Sequence, residues 1–132
     1  MTILLTLILG SIALLHALWG VGIWVPIRDE ERLVRTVVGA KGVDRMPGPI
    51  PCYLVVAAIL LVICALWLPQ FALARFVLWF SMIVFALRGA LAYVPFWRRI
   101  TPEEPFNTYD QRAYGPLCLG LAAGLLIILL TR

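Results

Sequence analysis

Charge is what this sequence has least of. Asp, Glu, Lys and Arg make up 14% of its 132 residues, against about 25% in a soluble domain. It has one histidine, His16, and three cysteines, Cys52, Cys64 and Cys118. The cysteines lie in apolar surroundings with no CxxC pair and no zinc-like spacing, where a free thiol is usually a small buried residue. A single histidine does not make a haem or metal site, which needs several convergent ligands. No metal and no particular cofactor is therefore implied. There is no GxSxG elbow, no phosphate-binding Gly-rich loop and no readable catalytic triad. No Asp or Glu falls inside a long apolar run, which argues against a proton-driven antiporter built on a membrane-embedded carboxylate. The net charge of +4 is modest and sits in connections, so nucleic acid is not an expected partner.

What is present is apolar surface. Hydrophobic residues supply 63% of the chain, against about 45–50% in soluble domains. A core of this size cannot absorb that surplus, so lipid is the expected solvent. Ile3–Val25 is long enough to cross a bilayer. It lacks a preceding Lys or Arg and a small-residue cleavage site, so it reads as a span and not a signal peptide. Ile27–Val38 has an apolar stripe (Ile27, Val34, Val37, Val38) and helical charge pairs Asp29–Arg32 and Glu31–Arg35, with Gly39 as its stop. It reads as a surface helix. Lys41–Pro51 is irregular. Ile50–Leu68 is a second span, and a short link forces an antiparallel hairpin with a third, about Phe71–Val94. After Pro95, the run Phe96-Trp97-Arg98-Arg99 reads as an interfacial anchor. Thr101-Pro102-Glu103-Glu104 resembles a capping box cut short by Pro105. The last span starts between Asp110 and Pro116 and runs to Leu130. The expected spans are thus about 3–25, 50–68, 71–94 and 113–130. The fold class is an all-α membrane protein, one domain, a four-transmembrane-helix bundle with both termini on the same side. Gly120-x-x-x-Gly124 reads first as close packing inside the bundle and second as a homo-oligomer contact.

Eight basic residues (Arg28, Arg32, Arg35, Lys41, Arg45, Arg98, Arg99 and Arg112) fall in the first and third connections and two, Arg75 and Arg132, on the opposite side. The positive-inside rule places the long connections in the cytoplasm and the termini outside. The expected location is a bacterial inner membrane, with membrane lipids as surroundings.

The polar residues then converge by depth. His16 lies nine residues before Val25, and Arg88 six before Val94. At the helical rise these are roughly 13 and 9 Å below the loop end. Asp110 and Tyr114 open the last span, with Asn107 just before. An ionisable group inside a span usually faces the bundle interior with a partner. Arg88 with Asp110, backed by Tyr114 and Asn107, reads either as a structural pin or as part of a pocket. In the pocket reading, Arg88 contacts an anionic or polar head group, His16 is a hydrogen-bonding or proton-handling group, and Trp19 lines the apolar part.

The pattern His16-x-x-Trp19, then Arg88, then Phe106…Asp110…Tyr114-Gly115-Pro116-Leu117-Cys118 resembles the small bacterial four-helix membrane proteins grouped as the DUF3995 domain of unknown function. The resemblance covers nearly the whole chain and implies the four-helix fold and this residue set. Gly115 stands where that family usually has Ser. It implies no activity. The expected function is binding of a small amphiphilic or lipid-like ligand by His16, Trp19, Arg88, Asn107, Asp110 and Tyr114. The alternatives are a membrane-embedded isomerase or transferase using His16 as acid/base and Arg88 as anion stabiliser, and a structural or accessory subunit of a membrane complex.

Overall fold

In lipid every backbone polar group must be satisfied internally, so apolar runs of this length become helices. A computed structural model describes the whole chain, Met1–Arg132. It is all-helical, with four helices long and apolar enough to cross a membrane. Three are single elements: α1 (Thr2–Gly20), α3 (Pro49–Trp67) and α4 (Ala72–Leu91). The fourth, Phe106–Thr131, is composite: α6 (Phe106–Tyr109), a π-turn (Asp110–Tyr114) and α7 (Gly115–Thr131). Two short helices, α2 (Glu30–Val37) and α5 (Pro95–Ile100), lie in the connections.

Around the bundle α1 packs on α3, α3 on α4 and α4 on α7, while α1 and α7 touch little. Leu9, Leu66, Leu78, Leu121 and Leu125 are fully buried in the core. Both termini lie at one end, where the Arg132 guanidinium donates to the Leu66 carbonyl (3.0 Å) and to Thr2 Oγ1 (2.7 Å). The long connections form a cap at the other end. Within it Leu33 and Val34 of α2 are completely buried in a second apolar cluster with Trp19, Met46 and Cys52. The expected surface helix is therefore docked on the bundle. Its Asp29 caps the Arg32 amide (2.9 Å), Glu31 pairs with Arg35 (3.1 Å), and Gly39 ends it at φ 65°.

Several boundaries differ from the sequence reading. Helix α1 ends at Gly20, five residues before Val25. The run is apolar throughout, so hydropathy cannot mark the stop. Gly22 turns the chain at φ 84°, and the Trp19 indole N–H holds the turn by donating to the Val25 carbonyl (2.7 Å). Helix α4 ends at Leu91. His16 and Arg88 are consequently about 6 and 4.5 Å from their helix ends, half the expected depths or less. The expected anchor at Pro95–Arg99 is helix α5. The expected capping box is absent. Thr101 is buried and its hydroxyl donates to the Trp97 carbonyl at the end of α5 (2.9 Å). Glu104 instead accepts from the Thr108 amide at the start of α6 (3.2 Å).

The fourth span begins at Phe106, earlier than expected. Pro116 would break an ordinary helix interior. Here it is the second residue of α7, just after the π-turn, which is closed by the Gly115 N–H donating to Asp110 O five residues back. The glycine motif is half used. A Cβ on Gly124 would come within 2.9 Å of Leu5, whereas nothing lies within 4 Å of one on Gly120. Tighter glycine contacts lie elsewhere, between α4 and α7. A Cβ on Gly89 would lie 2.9 Å from the Gly115 carbonyl and 2.6 Å from Leu119, and one on Gly115 would lie 2.8 Å from Ala92.

Candidate functional site

The loop end of the bundle holds two polar sites of different character. The first is a corner between α4, α5 and the π-turn. Arg88 occupies the last turn of α4. Asp110 begins the π-turn and is only 2% exposed. Arg88 Nη2 donates to Asp110 Oδ1 (2.7 Å), and the Trp97 indole N–H, from α5, donates to Oδ2 (2.9 Å). The Arg88 guanidinium also sits over the Trp97 ring, 5.4 Å from its centroid, close enough for a cation–π contact. Both oxygens of the buried carboxylate thus have charged or indole donors, the arrangement that makes a buried ion pair tolerable.

One helical turn earlier, Asn107 repeats the pattern without a charge of its own. Its Oδ1 accepts from Arg98 Nη2 (2.7 Å) and its Nδ2 donates to the Thr101 carbonyl (3.1 Å). Arg88 Nη1 and Arg98 Nη1 are buried and have no hydrogen-bond partner in the protein.

Tyr114, at the end of the π-turn, reaches across to α2. Its hydroxyl donates to the Thr36 carbonyl (2.8 Å), one of the last-turn carbonyls that a helix leaves without an internal partner. Phe106 is buried against Gly39, where any Cβ would collide with its ring, and it packs on Tyr114 at 5.7 Å between centroids. Two backbone bonds complete the seam, Glu103 N–H to Gly39 O (3.2 Å) and Lys41 N–H to Ile100 O (3.1 Å).

The second site is a cleft of about 140 Å³ between the end of α1, the end of α2 and the start of α3. His16 and Trp19 line it from α1, Val37 and Val38 from the α2 end, and Cys52 and Val55 from α3, with Met46, Pro47 and Pro51 at its rim. The His16 and Trp19 rings are 4.9 Å apart. His16 Nδ1 lies 2.8 Å from the Ile12 carbonyl. A carbonyl only accepts, so Nδ1 carries the proton, and in the singly protonated ring Nε2 is then an acceptor.

The sequence-named residues thus divide. Arg88 and Asp110 meet directly; Asn107 is engaged by Arg98 and Tyr114 by Thr36; His16 and Trp19 belong to the cleft. His16 makes no hydrogen bond to Arg88, Asp110 or Tyr114. The two sites join through α2, because Thr36, held by Tyr114, directly precedes Val37 and Val38 of the cleft wall. Trp97 and Arg98 were missed as site residues. Their only sequence signal was an indole and a guanidinium on a short helix just after Arg88, which read equally well as a membrane anchor. No three His, Cys, Asp or Glu side chains converge to hold a metal ion. Three larger cavities, of about 300 Å³ and 180 Å³ between α3 and α4 and about 410 Å³ between α1 and α7, are lined almost wholly by apolar residues and glycine.

A family model described as "Protein of unknown function (DUF3995)" matches residues 9–125, a stretch that contains both sites. No curated protein and no solved structure matches the chain.

Proposed function

We propose, from the premise that this chain belongs to the DUF3995 family of proteins of unknown function, that it holds a small amphiphilic, lipid-like molecule at the loop end of its bundle. The head of that molecule enters the cleft beside His16, and its tail stays in the surrounding lipid. The observation that carries this reading is the ring of His16. One nitrogen is fixed by the Ile12 carbonyl, and the other is left without a protein partner in a cleft with mostly apolar walls. A cavity of about 150 Å³ is enough for a molecule the size of benzene, so this cleft suits a head group and its first carbons and not a whole lipid. Such a pocket, apolar with few placed polar groups, is the usual form of a small-molecule site.

In this reading Arg88, Asp110 and Asn107 build the frame, and Tyr114 carries it to the cleft wall. The membrane is the bacterial inner membrane, with the basic connections on the cytoplasmic face. Native mass spectrometry of the gently extracted protein tests it. A species of defined mass should accompany the wild type and be missing from His16→Phe. A bare monomer in both samples overturns the reading.

A second reading, an accessory subunit of a membrane complex, is favoured by one observation. The Asp110 carboxylate has no free oxygen, since Arg88 and Trp97 take one each, as befits a structural lock. Its signature in the same experiment is a stable second protein in both samples.

A further inference from the structure

The cleft beside His16 has a property that follows from where its hydrogen atoms go. The three side-chain donors on its walls are all occupied inside the protein. The His16 Nδ1–H donates to the Ile12 carbonyl (2.8 Å), and the Trp19 indole N–H to the Val25 carbonyl (2.7 Å). The Cys52 thiol points at the Pro47 carbonyl (4.0 Å), a weak contact of a weak donor. The backbone adds little. Pro47 and Pro51 have no N–H. The Met46 amide donates to Glu30 Oε1 (3.0 Å) and the Val38 amide to the Val34 carbonyl (2.8 Å). The amides of Val37 and Val55 lie within helices, whose ladder takes them, and that of Cys52 opens the ladder of α3 beside the N-cap Gly48. What remains without a protein partner on the lining is His16 Nε2, a lone pair in the singly protonated ring. No charged residue lines it.

We propose that this cleft selects an uncharged amphiphile whose head group donates a hydrogen bond, a hydroxyl above all, with the donated proton shared with His16 Nε2. This rests on the amphiphile-binding reading above and narrows it to one chemical class. A head group that only accepts, such as an ether or a ketone, meets no donor here. Placing its oxygen in the cleft strips that oxygen of water without replacement, a loss that sites built around one hydrogen bond turn into strong discrimination. A phosphate or carboxylate is worse placed still, because it adds a charge that no residue of the lining balances.

The test uses the whole protein in phosphatidylcholine nanodiscs and two photoreactive probes. One is a long-chain primary alcohol with a diazirine beside the head group; the other is its methyl ether. Labelling is mapped by peptide, with the lipid-exposed Leu60 and Leu61 surface of α3 as internal reference. The alcohol should label the peptides bearing His16 and Cys52 several-fold above that reference, and the ether should not. His16→Phe should erase the difference, its folding being checked by thermal melting; the wild-type comparison stands without the variant. Equal labelling of the cleft by both probes overturns the donor requirement and leaves amphiphile binding standing. Labelling by neither above the α3 reference overturns the donor requirement and the binding reading together.

Discussion

The Arg88 corner and the His16 cleft lie at the same end of the bundle and differ in which polar atoms the protein leaves over, donors in the corner and an acceptor in the cleft. In the corner every side-chain acceptor is taken, both Asp110 oxygens and Asn107 Oδ1, while one guanidinium nitrogen each of Arg88 and Arg98 is buried without a partner. In the cleft every donor is turned inward and an acceptor is left over. A charge inside an apolar helix bundle is the conspicuous feature of the sequence, yet its spare nitrogen is buried, and it is the weakly polar histidine that lines a cleft. A buried charge must be matched before the chain can fold, which leaves little of it for a ligand. An imidazole tied down through one nitrogen carries no such obligation.

Three substitutions break or sharpen this contrast. The largest effect is expected for Asp110→Ala. Removing the carboxylate strands the Arg88 guanidinium and the Trp97 indole, and breaking a buried pair from one side costs about 3–5 kcal/mol. Arg88 is 31% exposed, so the loss should fall near the lower figure. Thermal or denaturant unfolding in detergent measures it, and a neutral result removes the distinction between corner and cleft. Tyr114→Phe comes next. It takes one hydrogen bond from the last turn of α2 and should cost about 1 kcal/mol. Because Thr36 directly precedes Val37 and Val38, it should also loosen the cleft wall and speed alkylation of Cys52 relative to Cys64, read by peptide mapping. An unchanged ratio would separate the two sites. The smallest change in stability is expected for His16→Phe, under about 1 kcal/mol, since only one side-chain hydrogen bond to an already bonded helix carbonyl is lost. A cost near that of Asp110→Ala would make His16 part of the frame.

Much of the fold was legible because lipid imposes it. The four spans, the α3–α4 hairpin and the stop at Gly39 follow from apolar length, a short link and a glycine's permitted φ. Arg88 opposite Asp110 was also legible, because a charge in a span demands a partner. The illegible parts are those where composition is uniform or a residue has two equivalent uses. Val21–Val25 is as apolar as the helix before it, so the end of α1, and with it the depth of His16, could not be read from hydropathy. Trp97 serves a membrane interface as well as it serves Asp110. Gly120-x-x-x-Gly124 drew attention as a motif, while the tighter crossing uses Gly89 and Gly115, which are far apart in sequence and form no pattern until α4 lies on α7. Thr101 sits in a sequence that suits a helix start and instead closes the helix before it.

The π-turn gives the last span two rotational frames. In an α-helix each residue advances about 100° around the axis, and a π-turn is in effect one residue inserted into that count. Residues before it, Phe106 and Asn107 among them, are phased to face α2 and α5. Residues after it, Gly115, Leu121 and Leu125, are phased to face α4 and the core. A helix with a single phase could serve one set of neighbours or the other. The inserted residue works as a gear offset, and it lets one continuous rod be both the lining of a membrane bundle and the post on which the cap is hung.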